Sequence, residues 1–105
     1  MTEKTIQEKK SKLETNEIFI GSKPFMKYVI ATVMQLKNNS EVIIKARGKF
    51  ISRGVDVAEV VKKRMNETKE MNLTEKIAIG TEEFKNEEGR NIHVSIIEIV
   101  LKKEK

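Results

Sequence analysis

Between Ile92 and Leu101 large apolar residues occupy alternate positions twice over: first Ile92, Val94 and Ile96, then, in the opposite phase, Ile97, Ile99 and Leu101. Successive side chains of a strand point to opposite faces, so a regular strand sends the first three to one face and the last three to the other. Two arrangements satisfy this pattern: a bulge near Ile96 and Ile97 that restores a single face, or burial of both sides, one of them by contact with a second chain. The run closes a chain of 105 residues. At that length folding buries only about 60 to 65% of the unfolded chain's surface, so one domain is expected and self-association is a way to bury more.

The rest of the chain supplies a short series of elements. Glu17 to Ile20 reads as a buried strand ended by Gly21 and Ser22, and Pro24 then opens a helical pattern over Phe25 to Leu36. In that pattern Met26, Val29, Ile30, Val33 and Leu36 recur at steps of three and four. Asn38, Asn39 and Ser40 stop the helix. Glu41 to Ala46 forms a second strand, whose consecutive Val42, Ile43 and Ile44 suggest burial on both faces. Arg47, Gly48 and Lys49 make a turn, and a second helix runs from Ile51 to about Met65 with Ile51, Val55, Ala58 and Met65 on one stripe. Glu75 to Phe84 has the strand period at Ile77 and Ile79, Lys85 to Arg90 is a loop, and the strand from Ile92 follows. The expected fold is α+β, a β-α-β-α-β-β two-layer sandwich of one sheet with both helices on a single face. Its last two strands form a hairpin that projects as an arm. Residues 1–16 mix charges with Ile6 and Leu13 as the only large apolar side chains after Met1 and read as a flexible tail, leaving 17–105 as the domain.

Charge is distributed unevenly. The chain carries 21 Lys+Arg against 16 Asp+Glu, a net +5. The first 17 residues sum to zero and residues 66–105 to −2, whereas residues 18–65 hold ten basic side chains against Glu41, Asp56 and Glu59 and sum to +7. A basic segment of this kind points to a polyanion. With no Cys, one His and one Asp, thiol catalysis, a Cys-based zinc site and a His-rich metal cage are excluded, and a metal-dependent nuclease lacks its carboxylate cluster. No enzyme and no cofactor are expected. No apolar run approaches the roughly 18 residues of a membrane span and no secretory leader is visible, so the reading is a cytoplasmic protein without membrane contact.

The segments IFIGSKPFMKYVIATVMQL and EVIIKARGKFISRGVDVAEVVKKRM resemble the archaeal Alba family of chromatin-associated DNA- and RNA-binding proteins, and the resemblance extends over residues 17–103. It implies a fold similar to the C-terminal domain of bacterial translation initiation factor three, a homodimer, and association with the chromosome. In such a dimer a basic body meets double-stranded DNA while two hairpin arms reach toward the minor groove. An RNA-binding role in ribonucleoprotein assembly or RNA metabolism is the alternative. Carried over by position, Lys23 is the second residue of a family lysine pair whose first place is taken by Ser22, and Arg47, Gly48 and Lys49 match the family's R-G-[RK] turn. Lys27 and Lys45 extend the patch, and Lys85 and Arg90 are the basic residues of the arm. Mobile lysines and a planar guanidinium on loops suit phosphate, and Gly48 permits a tight turn.

Other residues read more plainly. Lys37, Lys62 and Lys63 are solubilising charges, His93 is structural or interfacial, and Met26, Met34 and Met65 are core or interface residues. Three departures from the family pattern matter. Ser22 removes a charge from the loop, Met65 stands where some members have a Phe that helps dimers associate, and the arm is acidic, with Glu82, Glu83, Glu87 and Glu88 against Lys85 and Arg90. The acidic arm leads to an expectation of weaker duplex binding than in basic-armed relatives.

Overall fold

The computed structural model describes residues 16–69 and 72–104. Its elements are strand β1 (Glu17–Phe19), helix α1 (Phe25–Asn38), strand β2 (Glu41–Arg47), a 3-10 turn (Gly48–Phe50), helix α2 (Ile51–Thr68), and strands β3 (Asn72–Lys85) and β4 (Asn91–Glu104). The order matches the sequence pattern, and the strands form one sheet in the order β1-β2-β4-β3. β1 runs parallel to β2, while β2 and β3 each pair antiparallel with β4. Asn16 already joins this pairing: its carbonyl accepts from the Ile43 amide at 2.7 Å. The tail expected over the preceding residues lies outside the described part of the chain.

The helices end for local reasons. Pro24 precedes α1 in an extended conformation that matches its fixed φ, and its carbonyl accepts from the Lys27 amide at 3.0 Å. At the other end the Asn39 side chain donates to the Gln35 carbonyl at 3.0 Å, satisfying a last-turn acceptor. Lys69 closes α2 in the left-handed conformation, φ 59°.

The core lies between the helices and one sheet face. Register sets Val42 beside Leu101, Ile44 beside Ile99 and Ala46 beside Ile97, and all six are buried. Against them α1 buries Tyr28, Val29, Thr32 and Leu36, and α2 buries Gly54, Val57, Ala58, Val61 and Met65. Each fully buried aliphatic side chain contributes about 1.5 to 3 kcal/mol, so this single layer carries the stability of the body. Thr32 satisfies its hydroxyl by donating to the Tyr28 carbonyl at 2.8 Å.

Several expectations change. The bulge near Ile96 and Ile97 is absent: β2–β4 and β3–β4 registers run unbroken through both residues. The phase change is met instead by a division of labour along β4. Ile97, Ile99 and Leu101 face the helices, while Ile92, Val94 and Ile96 lie half-buried on the opposite face. Burial in β2 is also one-sided, with Val42 and Ile44 fully enclosed and Ile43 half-exposed. On the helices the core stripes shift. Met26, Ile30 and Val55 are exposed, because residues at the margin of an apolar stripe fall outside the narrow band that touches the sheet. The helices and hairpin strands also run longer than expected, β3 reaching back to Asn72 and β4 on to Glu104.

Beyond the pair Arg47–Ile96, β2 no longer accompanies β4, and residues 91–95 pair with 81–85 alone. This two-stranded extension is the expected arm, and it contributes to the 51 × 36 × 25 Å extents of the chain. Its tip is closed by Asn86, whose side-chain oxygen accepts from the Glu88 and Arg90 amides at 2.9 Å each, with Gly89 at φ +83°.

Gly54 sets how closely α2 approaches the sheet, since a Cβ there would lie 2.9 Å from the Ala46 Cβ. Gly54→Ala is therefore expected to force α2 outward and cost about 1 to 3 kcal/mol, read as a lower urea midpoint in equilibrium unfolding.

Candidate nucleic-acid interface

Because β1 and β2 are parallel neighbours, with the Ile20 amide donating to the Lys45 carbonyl at 2.9 Å, their C-terminal ends lie at the same end of the sheet. The loop after β1 (residues 21–24) and the turn after β2 (residues 48–50) therefore emerge side by side. Each leads into a helix, so the N-termini of α1 and α2 lie at this end too, and neither first turn holds an acidic residue. Unpaired helical amides and the positive end of each helix dipole favour an anion there. The arm leaves the body from the same end, since Arg47 is the last β2 residue paired with β4.

Two side chains fasten the first loop. The Tyr28 hydroxyl accepts from the amides of Gly21, at 2.9 Å, and Lys23, at 3.0 Å. Arg53, in the first turn of α2, donates from Nη2 to the Lys23 carbonyl at 2.7 Å, and its guanidinium carbon lies 5.8 Å from the Phe25 ring centroid. Arg53 thus ties the Lys23 loop to the helix that follows Lys49. The sequence reading passed over both residues. Tyr28 lies outside the apolar stripe that marks α1, and Arg53 counted as one more basic residue, although its position just after the R-G-K turn is a usable signal. In the second loop Gly48 takes φ +56°, a conformation costly for any residue with a side chain.

The nine expected site residues fall into three groups. Ser22, Lys23, Lys27, Gly48 and Lys49 are exposed at the loop end of the body. Among the described residues no carboxylate lies within 4.0 Å of the charges of Lys23, Lys27 or Lys49; the Lys49 ammonium rests 5.5 Å from the Phe50 ring centroid. Arg47 is at the same end but is paired with Glu82 at 3.2 Å. Lys45 lies on the helix-free face of the sheet, held by Glu17 at 3.0 Å and Glu98 at 3.5 Å. Lys85 and Arg90 are separate from both loops, at the arm's end, where Arg90 reaches Glu88 at 4.0 Å. His93 also belongs to the arm and faces Glu83 across the strands at 3.5 Å.

Hydrogen bonding to Glu17 raises the pKa of Lys45 above its ordinary 10.5; burial opposes it as the next largest influence, and the charges of Glu17 and Glu98 add to the rise. Lys62, on α2, is raised likewise by hydrogen bonds to Glu75 and then Glu59. Lys62 is thus a structural ion-pair partner that joins α2 to β3. Since the folded values lie above the unfolded one, the stabilisation from these pairs is complete below the ordinary value of 10.5 and fades as pH rises through the folded values. Both lysines remain cationic at neutral pH, but Lys45 already has two anionic neighbours.

No group of three or more His, Asp or Glu side chains able to hold a metal ion occurs among the described residues, and no described helix is long and apolar enough to cross a membrane. What the site does offer is a basic loop end beside two helix N-termini and a projecting hairpin, the arrangement of a nucleic-acid-binding α+β domain. A profile of the Alba family matches residues 16–80. The chain is 50% identical over 91 residues to the "DNA/RNA-binding protein Alba" of Methanocella arvoryzae, covering 86% of this chain and 92% of that protein. It is 47% identical over 89 residues to the protein of the same name from Methanococcus maripaludis, covering 82% and 96%. Among solved structures, Alba from Thermoplasma volcanium superposes with a TM-score of 0.71 at 43% identity, covering 82% of this chain and 98% of that one. An Alba protein of Trypanosoma brucei gives 0.61 at 28% identity, covering 84% and 68%. The chain belongs to the Alba family, whose members are non-catalytic.

Removing the Tyr28 hydroxyl leaves two loop amides without their acceptor. Tyr28→Phe is expected to cost about 1 to 2 kcal/mol and to speed amide hydrogen exchange at Gly21 and Lys23, measured residue by residue by NMR.

Proposed function

We propose that this chain is a homodimeric DNA-binding chromatin protein, associated with the chromosome, that grips the duplex backbone with its loop end and reaches toward the minor groove with its arm. The observation that carries the reading is the joining of the Lys23 loop to the Arg47–Lys49 turn: parallel strands set them together and Arg53 ties them. Lys23, Lys27 and Lys49 supply mobile charges, Arg47 a planar fork, and the helix N-termini further donors to phosphate. The Alba proteins of Methanocella arvoryzae and Methanococcus maripaludis carry DNA/RNA binding in their names, which supports both the DNA reading and the RNA alternative.

Dimerisation is supported by what β3 leaves uncovered. Ile77 and Ile79 pair in register with Ile99 and Ile97, on the face that the helices cover elsewhere, yet they are 57% and 81% exposed. Apolar side chains that continue a core face beyond the helices, on an edge strand, suit a second copy placed against them. In this reading the dimer contact lies on β3, whereas the sequence pattern placed it on the final strand near Ile96 and Ile97. Ile79→Lys is expected to shift the chain toward monomer, read as a lower sedimentation coefficient at micromolar concentration with unchanged far-UV circular dichroism.

The arm lowers affinity relative to basic-armed proteins, because Glu87 and Glu88 stand exposed at its tip beside Arg90. In a dimer, Arg47→Ala removes two phosphate contacts. Binding to a DNA duplex is therefore expected to weaken, and the slope of log affinity against log salt to flatten by up to about 2. A matched RNA duplex tests the alternative in the same titration. Unchanged affinity and slope on both duplexes would remove Arg47 from the interface.

A further inference from the structure

Arg47 does not project freely from its turn. It is the last residue of β2, on the helix-free side of the sheet, and its side chain crosses the intervening β4 to reach Glu82 of β3, Nη2 to Oε1 3.2 Å. Arg47, Glu82 and Ile96 line the same shallow depression of about 180 Å³, together with Phe19, Lys45 and Glu98. Two residues beyond Glu82 on the same face, Phe84 places its ring centroid 6.0 Å from the guanidinium carbon. The fork is thus aimed along the arm, with a carboxylate where a phosphate would sit and an aromatic ring beside it.

We propose that Glu82 is an internal surrogate for phosphate, an anion that occupies Arg47 in the free protein and must be displaced when Arg47 takes hold of a nucleic-acid backbone. The inference rests on the backbone-binding reading above and adds to it the control of that same site. Both partners are about half exposed, Arg47 54% and Glu82 47%, so incoming phosphate has access, and an exposed pair of this kind is weak enough to be exchanged. A backbone phosphate offers Arg47 the same bidentate geometry that a carboxylate does. Exchange then leaves Glu82 unpaired next to a polyanion, which penalises binding a second time.

The exchange also couples arm to body. Glu82 lies near the base of the arm, where β3 and β4 first extend past Arg47, and releasing the pair removes the one ion pair between arm and β2 among the described residues. A duplex that engages Arg47 therefore meets a less restrained arm. Weak binding in this chain follows in part from a specific side chain, rather than from the arm's overall negative charge.

The test is a double-mutant cycle on the full chain, with duplex affinity measured by fluorescence anisotropy at one low salt concentration. The variants are E82Q, R47A and the double change, with E83Q as a control that removes an equal charge from the arm without touching Arg47. The surrogate predicts that E82Q tightens duplex binding by about three- to ten-fold and steepens the salt slope. It also predicts that this gain falls to the level of E83Q once Arg47 is Ala. An equal gain from E82Q with and without Arg47, or a gain no larger than that of E83Q, would overturn it, leaving general repulsion as the cause. Absence of salt-dependent duplex binding in every variant would instead overturn the backbone-binding reading itself.

Discussion

The parallel pairing of β1 with β2 is the constraint on which the rest of the molecule depends. Three residues, Glu17 to Phe19, lie along Ile43 to Lys45, and the chain can return to that direction only by crossing through α1. Two consequences follow at once. The crossover places α1 over the sheet face that also receives α2, which fixes the core, and it brings the ends of both strands to one end of the molecule. The loops that hold Lys23 and Lys49 are neighbours for this reason, though they are far apart in sequence.

The site inherits its rigidity from that arrangement. Loops that bind phosphate gain from being held in place beforehand, because less order is lost on binding. Here the fastening comes from Tyr28 and Arg53, each anchored on a helix and directed at the backbone of residues 21–23. The same end of the sheet launches the arm. Body and arm are therefore parts of one surface, and Arg47, which ends β2 and touches Glu82 and Phe84 of the arm, is the point at which they meet.

Much of this was legible in the sequence, and what was not has a physical cause. The element order and the hairpin followed from periodicity at Val29 to Leu36, Ile77 to Ile79 and Ile97 to Leu101, because burial on one face leaves a repeating trace, whereas β2 showed as an unbroken apolar run whose one-sided burial was not legible. The R-G-K turn and Lys23 carried the family resemblance, which the comparisons bear out. The bulge was a wrong solution to a real pattern. Sequence shows that Ile96 and Ile97 differ in phase, but not that β4 outruns its helical cover, so that one half of the strand serves the core and the other the arm. Val55 and Ile30 were assigned to core stripes for a similar reason, since a helix's apolar face is wider than the strip of sheet it touches. Ion pairing was hidden altogether: nothing in the spacing of Lys45, Glu17 and Glu98, or of Arg47 and Glu82, reveals that strand register sets them together.

The central claim is that the two loops at the end of the parallel pair contact the nucleic-acid backbone. Amide hydrogen exchange of the full chain, followed by NMR with and without a DNA duplex of about 20 base pairs, tests it most directly. The account predicts slowed exchange at Gly21 to Lys23 and Gly48 to Phe50 on adding duplex, with the outer faces of α1 and α2 unchanged. Protection confined to those helical faces, with both loops exchanging as in the free protein, would contradict it.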